Sequence, residues 1–253
     1  MSAKSSLDAI KDEAAGGVAI EEKIEGIETE ESPEKKIIMP FEYAEDEHYY
    51  VEELGEIPKK PFYNFLKRCM DIILSLIGLI VAAIPMLIVA ILVKTTSRGS
   101  VFYKQERLGL NGKPFKLVKF RTMIQDAERD GARWSLGGED KRITKLGSFL
   151  RATRLDELPQ LWACFVGTLS IVGPRPEREM FYDKFEEHIH GFRERLKVKP
   201  GLTGLAQING GYDLRPEEKI VFDVEYIKNR SIRQDIKIIF GTVAVVLGRR
   251  GAK

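Results

Sequence analysis

The sequence predicts a mainly helical α+β fold assembled around one membrane-embedded helix. Three observations carry that expectation: an apolar run of helical length from Ile72 to Val93, a hairpin-like pattern just after it, and amphipathic helical spacing through much of the remainder. At 253 residues, 43% hydrophobic and 31% charged, the chain can bury one sizeable core with appendages.

Residues 1–60 form an acidic head with 17 acids against 7 bases, and residues 61–253 carry 21 acids against 33 bases, so net charges of −10 and +12 face each other. Clusters such as Glu21-Glu22, Glu30-Glu31 and Glu45-Asp46-Glu47, without a sustained apolar period, predict disorder or a marginal helix for the head. It lacks the basic-then-apolar pattern of a secretory signal, so it is expected to stay in the cytosol. The basic body suits polyanionic partners: anionic lipid, nucleic acid or phosphorylated substrates. Charge alone does not choose among them.

The run from Ile72 to Val93 is apolar apart from Ser75, Gly78 and Pro85. About 20 such residues cross the ~30 Å hydrocarbon layer as a helix. A helix apolar on every face needs protein on every side if it is to sit in a soluble core, which favours membrane contact. Pro85 removes a backbone donor and clashes with the carbonyl of Val81, at ~3 kcal/mol or more, and predicts a kink. Lys67 and Arg68 precede the run while Lys94 and Arg98 follow it, so the positive-inside bias assigns no direction of crossing. A re-entrant helix with both ends cytoplasmic and an ordinary spanning helix with a proline kink both satisfy this physics.

Ser100 to Met123 alternates apolar pairs with Lys104, Arg107, Lys113, Lys116, Lys119 and Arg121 and is punctuated by Gly109 and Asn111-Gly112, which predicts short strands or a hairpin. Residues 124–133 read as a short charged helix and 134–145 as a glycine-bearing loop. Helices are expected over 147–167, 217–230 and 235–248. Cys69 and Cys164 lack metal-ligand spacing and read as reduced thiols. Of the three histidines, His188 and His190 would diverge on a helix, so with His48 they read as solvated surface residues and zinc is not expected.

No phosphate-binding loop ending in Gly-Lys-Ser/Thr, no Gly-x-Gly-x-x-Gly after a strand and no Asp-x-Asp triplet occurs. The segment that stands out is Arg151-Ala-Thr-Arg-Leu-Asp-Glu-Leu-Pro-Gln-Leu161. Acids in a first helical turn, with Pro159 beside them, suit the helix dipole. That role does not account for Arg151 and Arg154 within a turn of Asp156 and Glu157, nor for the rigid Gly173-Pro-Arg-Pro176, whose prolines restrict the backbone around Arg175 and would aim its guanidinium at a phosphate.

Together with Lys119-Phe-Arg-Thr-Met123, Leu155-Asp-Glu-Leu-Pro-Gln-Leu161, Ser170-Ile-Val-Gly-Pro-Arg-Pro176 and Pro200-Gly-Leu-Thr-Gly-Leu-Ala-Gln-Ile-Asn-Gly210, in that order after a single apolar helix, the chain resembles the bacterial sugar transferases known as monotopic phosphoglycosyl transferases over roughly residues 62–250. The resemblance implies a ping-pong reaction. Asp156 would attack the β-phosphate of a UDP-sugar and release UMP, and the resulting aspartyl-phosphosugar would pass its group to polyprenyl (undecaprenyl) phosphate, the first membrane step of exopolysaccharide, capsule or glycoconjugate synthesis. Glu157 supports Asp156; Lys119, Arg151 and Arg175 match the family's basic residues around the phosphates; Mg²⁺ is the implied cofactor, assigned to Asp156. Gln207 and Asn209 are candidate contacts to nucleotide or sugar, ranked level with a structural turn.

The resulting expectation is a monotopic protein in the bacterial cytoplasmic membrane, its catalytic domain on the cytoplasmic face. Its parts are an acidic extension (1–60), a re-entrant helix region broken at Pro85 (61–98) and a cytosolic catalytic domain with interfacial amphipathic helices (99–253). Membrane lipids are expected partners and nucleic acid is not. The competing reading is a membrane-anchored scaffold without turnover. Two departures from the family stand out: Gly167-Thr-Leu-Ser170 where Gly-Asp-Met-Ser is frequent, and Ile84-Pro85 where Ser-Pro is frequent.

Overall fold

A computed structural model describes residues 37–129, 131–134 and 140–248. Two short strands open it, β1 (Ile37–Ile38) and β2 (Tyr49–Tyr50). The long helix α1 follows over Pro61–Thr96, with proline at its first turn, where the missing N–H is no loss, and Pro85 inside it. Then come β3 (Phe102–Leu108), β4 (Pro114–Phe120), β5 (Ala132–Arg133), α2 (Lys145–Ala152), α3 (Gln160–Val166), β6 (Ser170–Val172), α4 (Glu179–Glu186), β7 (Ile189–His190), β8 (Gly201–Thr203), α5 (Leu205–Asn209), α6 (Pro216–Asn229) and α7 (Ile232–Leu247).

The strands form four two-stranded sheets among the described residues: β3 with β4 antiparallel, and β1 with β5, β2 with β7 and β6 with β8 parallel. The β3–β4 hairpin matches the expectation for residues 100–123. Its connection places Asn111 and Gly112 at φ 56° and 72°, the left-handed region that these residue types tolerate.

α1 buries one stripe, Tyr63, Asp71, Ser75, Ala82, Val89 and Val93, and exposes Ile73, Ile77, Ile80, Val81, Ile84, Leu87, Ile88 and Ile91 on the other faces. The buried stripe touches the rest of the molecule along its whole length. Lys67 pairs with Asp235 on α7 at 3.0 Å, and Arg68 caps the C-terminal end of α3 by donating to the carbonyls of Cys164 and Phe165 at 2.9 and 2.7 Å. Asp71 accepts from Ser170 Oγ and Ile171 N on β6, both at 2.9 Å. Gly78 lies so close to Leu161 that an added Cβ would stand 3.1 Å from its Cδ1. Val89 and Val93 share a core with Phe120 and Leu150, and Arg121 Nη2 donates to Ser97 O just past the helix.

Three expectations need correction. The expected disorder or marginal helix does not extend over residues 37–60, which carry β1 and β2. Residues 37–60 pack on the body: Phe41, Tyr43, Val51 and Leu54 join an aromatic core around Trp134, Phe181, Tyr182, Phe185 and Phe192. Pairing in two-residue strands stabilises this arm, too briefly to show as periodicity; residues 1–36 lie outside the described part. Residues 124–129 are turns and 132–133 the short β5 rather than a helix, with Asp126 and Gly131 in left-handed conformations that oppose one. Residues 147–167 are two helices, because Arg154 at φ 58° turns the chain between them. Most of the expected loop at 134–145 lies outside the described residues. The helices expected at 217–230 and 235–248 are α6 and α7.

The histidines lie at the surface as expected, His48 and His190 exposed, but His190 is on a strand rather than a helix. His190 lies on β7 with His188 just before it, and positions two apart share a face of an extended chain. Both stack on His48 from the arm, and His190 Nε2 stands 3.2 Å from His48 Nδ1.

Candidate functional site

The interruption between α2 and α3 at Arg154 positions the site. α2 starts at Thr144, whose hydroxyl accepts from Gly147 N at 2.9 Å, and ends at Thr153. A single 3₁₀ turn, Leu155–Glu157, then carries the two carboxylates, and Pro159 leads into α3. Asp156 is 5% exposed.

Arg175 arrives from the far side. β6 ends at Gly173, which packs against Gly201 of β8 so tightly that a Cβ on either would fall inside contact with the other's backbone. This crossing directs Pro174-Arg175 toward the 3₁₀ turn, where the guanidinium grips both oxygens of Glu157, Nη1 to Oε2 at 3.3 Å. Arg151 Nε donates to Thr122 Oγ1 at 2.9 Å, and Lys119 of β4 lies 5.5 Å from the centre of the Tyr103 ring.

Burial raises the Asp156 carboxyl to about 6, and the neighbouring Glu157 charge adds to that, against the pull of Lys119, Arg151 and Arg175. Burial also works to raise Glu157, but Arg175 outweighs it by charge and hydrogen bonds, helped by Arg154 and Lys119, and holds that carboxyl below its ordinary range. Two adjacent acids therefore differ: Arg175 clamps Glu157 and holds its carboxyl low, while burial holds that of Asp156 high. Burial lowers the Lys119 ammonium to about 8, assisted by Arg107 and Arg151.

These groups line a cavity of ≈ 1090 Å³. Asp156, Glu157, Lys119, Arg151 and Arg175 meet there, together with Gln207, whose side-chain amide nitrogen and oxygen are both buried without a partner. Asn209 is not among the lining: it is exposed and folds back to donate to Leu205 O at 2.8 Å, on a short helix rather than a turn. Leu74 of α1 and Ile208, Ile239, Val243 and Val246 add apolar lining to the cavity. Lys219, Trp134, Arg195 and Glu177 also line it, and no local pattern marks them, because the fold brings them together from four separate segments.

No group of three or more His, Cys, Asp or Glu side chains that could hold a metal ion occurs among the described residues. Mg²⁺ is commonly held by one or two carboxylates with substrate phosphates and water completing its shell. A buried Asp156 facing a large cavity suits that kind of shared site, and Glu157, engaged by Arg175, is the lesser donor.

A family model described as bacterial sugar transferase matches residues 62–249. A UDP-glucose:undecaprenyl-phosphate glucose-1-phosphate transferase of Klebsiella pneumoniae is 42% identical, over 76% of this chain and 44% of the relative. A UDP-N-acetylgalactosamine-undecaprenyl-phosphate N-acetylgalactosaminephosphotransferase of Aeromonas hydrophila is 38% identical, over 82% and 49%. The chain spans about half the length of these two relatives. It spans 96% of the exopolysaccharide production protein ExoY of Rhizobium meliloti, at 34% identity over 83% of this chain.

Proposed function

The chain belongs to the bacterial sugar transferase family, and from that premise we propose that it moves a sugar-1-phosphate from a UDP-sugar to undecaprenyl phosphate for exopolysaccharide or related glycoconjugate synthesis. The observation that carries the reading is Asp156, a buried carboxylate that lines a large cavity together with several cations and apolar side chains.

In the first step an ionised Asp156 oxygen forms a bond to the donor's β-phosphorus, the bond from phosphorus to the bridging oxygen breaks, and UMP leaves with that electron pair. The product is an aspartyl-phosphosugar. In the second step a phosphate oxygen of the lipid attacks the same phosphorus, the acyl-phosphate bond breaks, and the Asp156 carboxylate is restored. Lys119 and Arg151 offset the charge of two anionic substrates beside a carboxylate that would otherwise repel them, while the Arg175–Glu157 clamp holds the guanidinium in place. Mg²⁺, held by Asp156 with donor phosphate oxygens, would supply further neutralisation of that charge.

One substrate is water-soluble and the other keeps its phosphate at the lipid headgroups, so Asp156 must lie at membrane level. The apolar lining of the cavity and the exposed Ile236, Phe240, Val243 and Val246 of α7 suit an interfacial position in the bacterial cytoplasmic membrane. α1 is roughly 54 Å long at 1.5 Å per residue, well beyond the ~30 Å apolar layer. Its contacts with one domain from Tyr63 to Ser97 and its basic residues at both ends support the re-entrant, monotopic reading, with the domain on the cytoplasmic face.

The test is incubation of the protein in lipid with a panel of radiolabelled UDP-sugars and undecaprenyl phosphate. Labelled lipid and UMP are expected with at least one donor. No turnover across the panel contradicts the proposal and leaves the scaffold reading.

A further inference from the structure

Arg175 reaches the site from a stretch with no helix or strand, Pro174 to Arg178, in which two prolines lack an N–H. Such a stretch keeps its shape only if its backbone carbonyls find donors elsewhere. All four from Pro174 to Glu177 do. Pro174 O accepts from Gly201 N and Glu177 O accepts from Leu108 N, both at 2.9 Å. The two carbonyls between them are met by side chains: Arg195 Nη2 donates to Arg175 O at 2.9 Å, and Arg107 Nη1 donates to Pro176 O at 3.1 Å.

Arg195 comes from the 3₁₀ segment Phe192–Lys197 and is 3% exposed. The same Nη2 stands 2.6 Å from Oδ2 of Asp223, a fully buried carboxylate of α6. The guanidinium lies 4.9 Å from the centre of the Phe192 ring and 5.9 Å from that of Tyr182. Its Nε and Nη1 are buried too, without a hydrogen-bond partner. No nitrogen of Arg195 is therefore left to meet a ligand, although the side chain stands at the cavity wall. Its route to the site runs through Arg175.

Packing alone does not require this pair. Two buried charges carry a large desolvation penalty, and apolar side chains of similar volume commonly hold buried elements together as well or better. What an apolar pair does not supply is a donor to Arg175 O. Asp223 fixes the guanidinium of Arg195, one nitrogen of that guanidinium fixes the carbonyl, and the residue so fixed is the one whose side chain grips Glu157. A line of contacts thus runs from α6 to the 3₁₀ turn that carries Asp156.

We propose that Arg195, oriented by Asp223, is a positioning residue for the transfer reaction: it holds the Arg175 backbone so that the guanidinium stays clamped to Glu157 beside Asp156. The proposal rests on the transferase reading given above and adds to it two residues that do not touch substrate.

Removing Arg195 alone strands the Asp223 charge and endangers folding. The experiment therefore uses Arg195→Met/Asp223→Leu, which exchanges the pair for apolar side chains, and Arg195→Lys, which keeps a cationic donor and the charge balance. Each is compared with wild type in thermal midpoint and in lipid labelling from a competent UDP-sugar. The double variant should keep a midpoint close to wild type, lose about tenfold to a hundredfold in kcat and leave the KM for undecaprenyl phosphate unchanged; Arg195→Lys should lose less. The decisive comparison repeats both changes in an Arg175→Ala background, where a residue that acts through Arg175 has nothing further to lose. Equal rates with and without them in that background are expected. Losses that multiply would give Arg195 a role independent of Arg175, and a double variant as active as wild type would give it none; either overturns the proposal.

Absence of turnover in wild type would instead refute the transferase reading itself, and hydrogen exchange tests the positioning without turnover. Peptides covering residues 170–178 should exchange faster in the double variant than in wild type, with those covering α7 unchanged. Equal rates over 170–178 would show that Arg195 does not hold this stretch.

Discussion

At the scale of residues, the site separates two adjacent carboxyls by their surroundings. On the proposed mechanism Asp156 must be ionised to attack, and burial together with Glu157 raises its carboxyl to about 6. Lys119 must be charged to hold phosphate, and burial places its titration at about 8. The rate should therefore rise with pH through about 6 and fall through about 8, a bell in kcat/KM whose acid limb reports the carboxyl pair and whose alkaline limb reports the amine. Lys119→Arg, with a cation that does not titrate in this range, should remove the alkaline limb; a profile flat from pH 5 to 9 in wild type would contradict the assignment. Asp156, Glu157 and Arg175 are legible in the sequence through the ordered motifs that contain them, Leu155–Leu161 and Ser170–Pro176, because acids in a first helical turn are ordinary by themselves. Lys219 and Trp134 are not, since a lysine in Glu-Glu-Lys and a tryptophan beside an arginine look like ordinary surface and core until the fold joins them.

At the scale of elements, long and regular features are legible and short or tertiary ones are not. The apolar α1, the β3–β4 hairpin and helices α6 and α7 all follow from periodicity and turn residues. The break between α2 and α3 does not, because its cause is one arginine in a left-handed conformation, and residues 153–158 otherwise suit a helix. The strands of the 37–60 arm escape notice because two residues have no period. The coupling of α1 to the site is likewise tertiary: Asp71 receives Ser170 Oγ and Ile171 N, and so fixes the strand that delivers Arg175. Asp71→Ala leaves a buried N–H without an acceptor, at about 1–3 kcal/mol. It should lower the thermal midpoint in detergent, and Asp71→Asn, which keeps a carbonyl oxygen, should lower it less. A midpoint equal to wild type in the alanine variant would show that this contact does not hold β6.

At the scale of the whole molecule, the proposed function requires a soluble donor and a lipid acceptor to meet at one carboxylate, and the architecture offers a cavity with cationic and apolar lining beside one helix long and apolar enough to cross a membrane. If α1 re-enters, both its ends share one side of the bilayer. With the native cysteines replaced, Lys59→Cys and Arg98→Cys should both react with an impermeant maleimide from the cytoplasmic face, and reaction of either from the opposite face would show a spanning helix. The central claim is the nucleophile, and its most direct test is mass spectrometry of the protein incubated with a competent UDP-sugar in the absence of lipid acceptor. The account predicts a mass increase of one sugar phosphate, located to Asp156 and discharged on adding undecaprenyl phosphate. An adduct on any other residue, or transfer to lipid that survives Asp156→Asn, would contradict it.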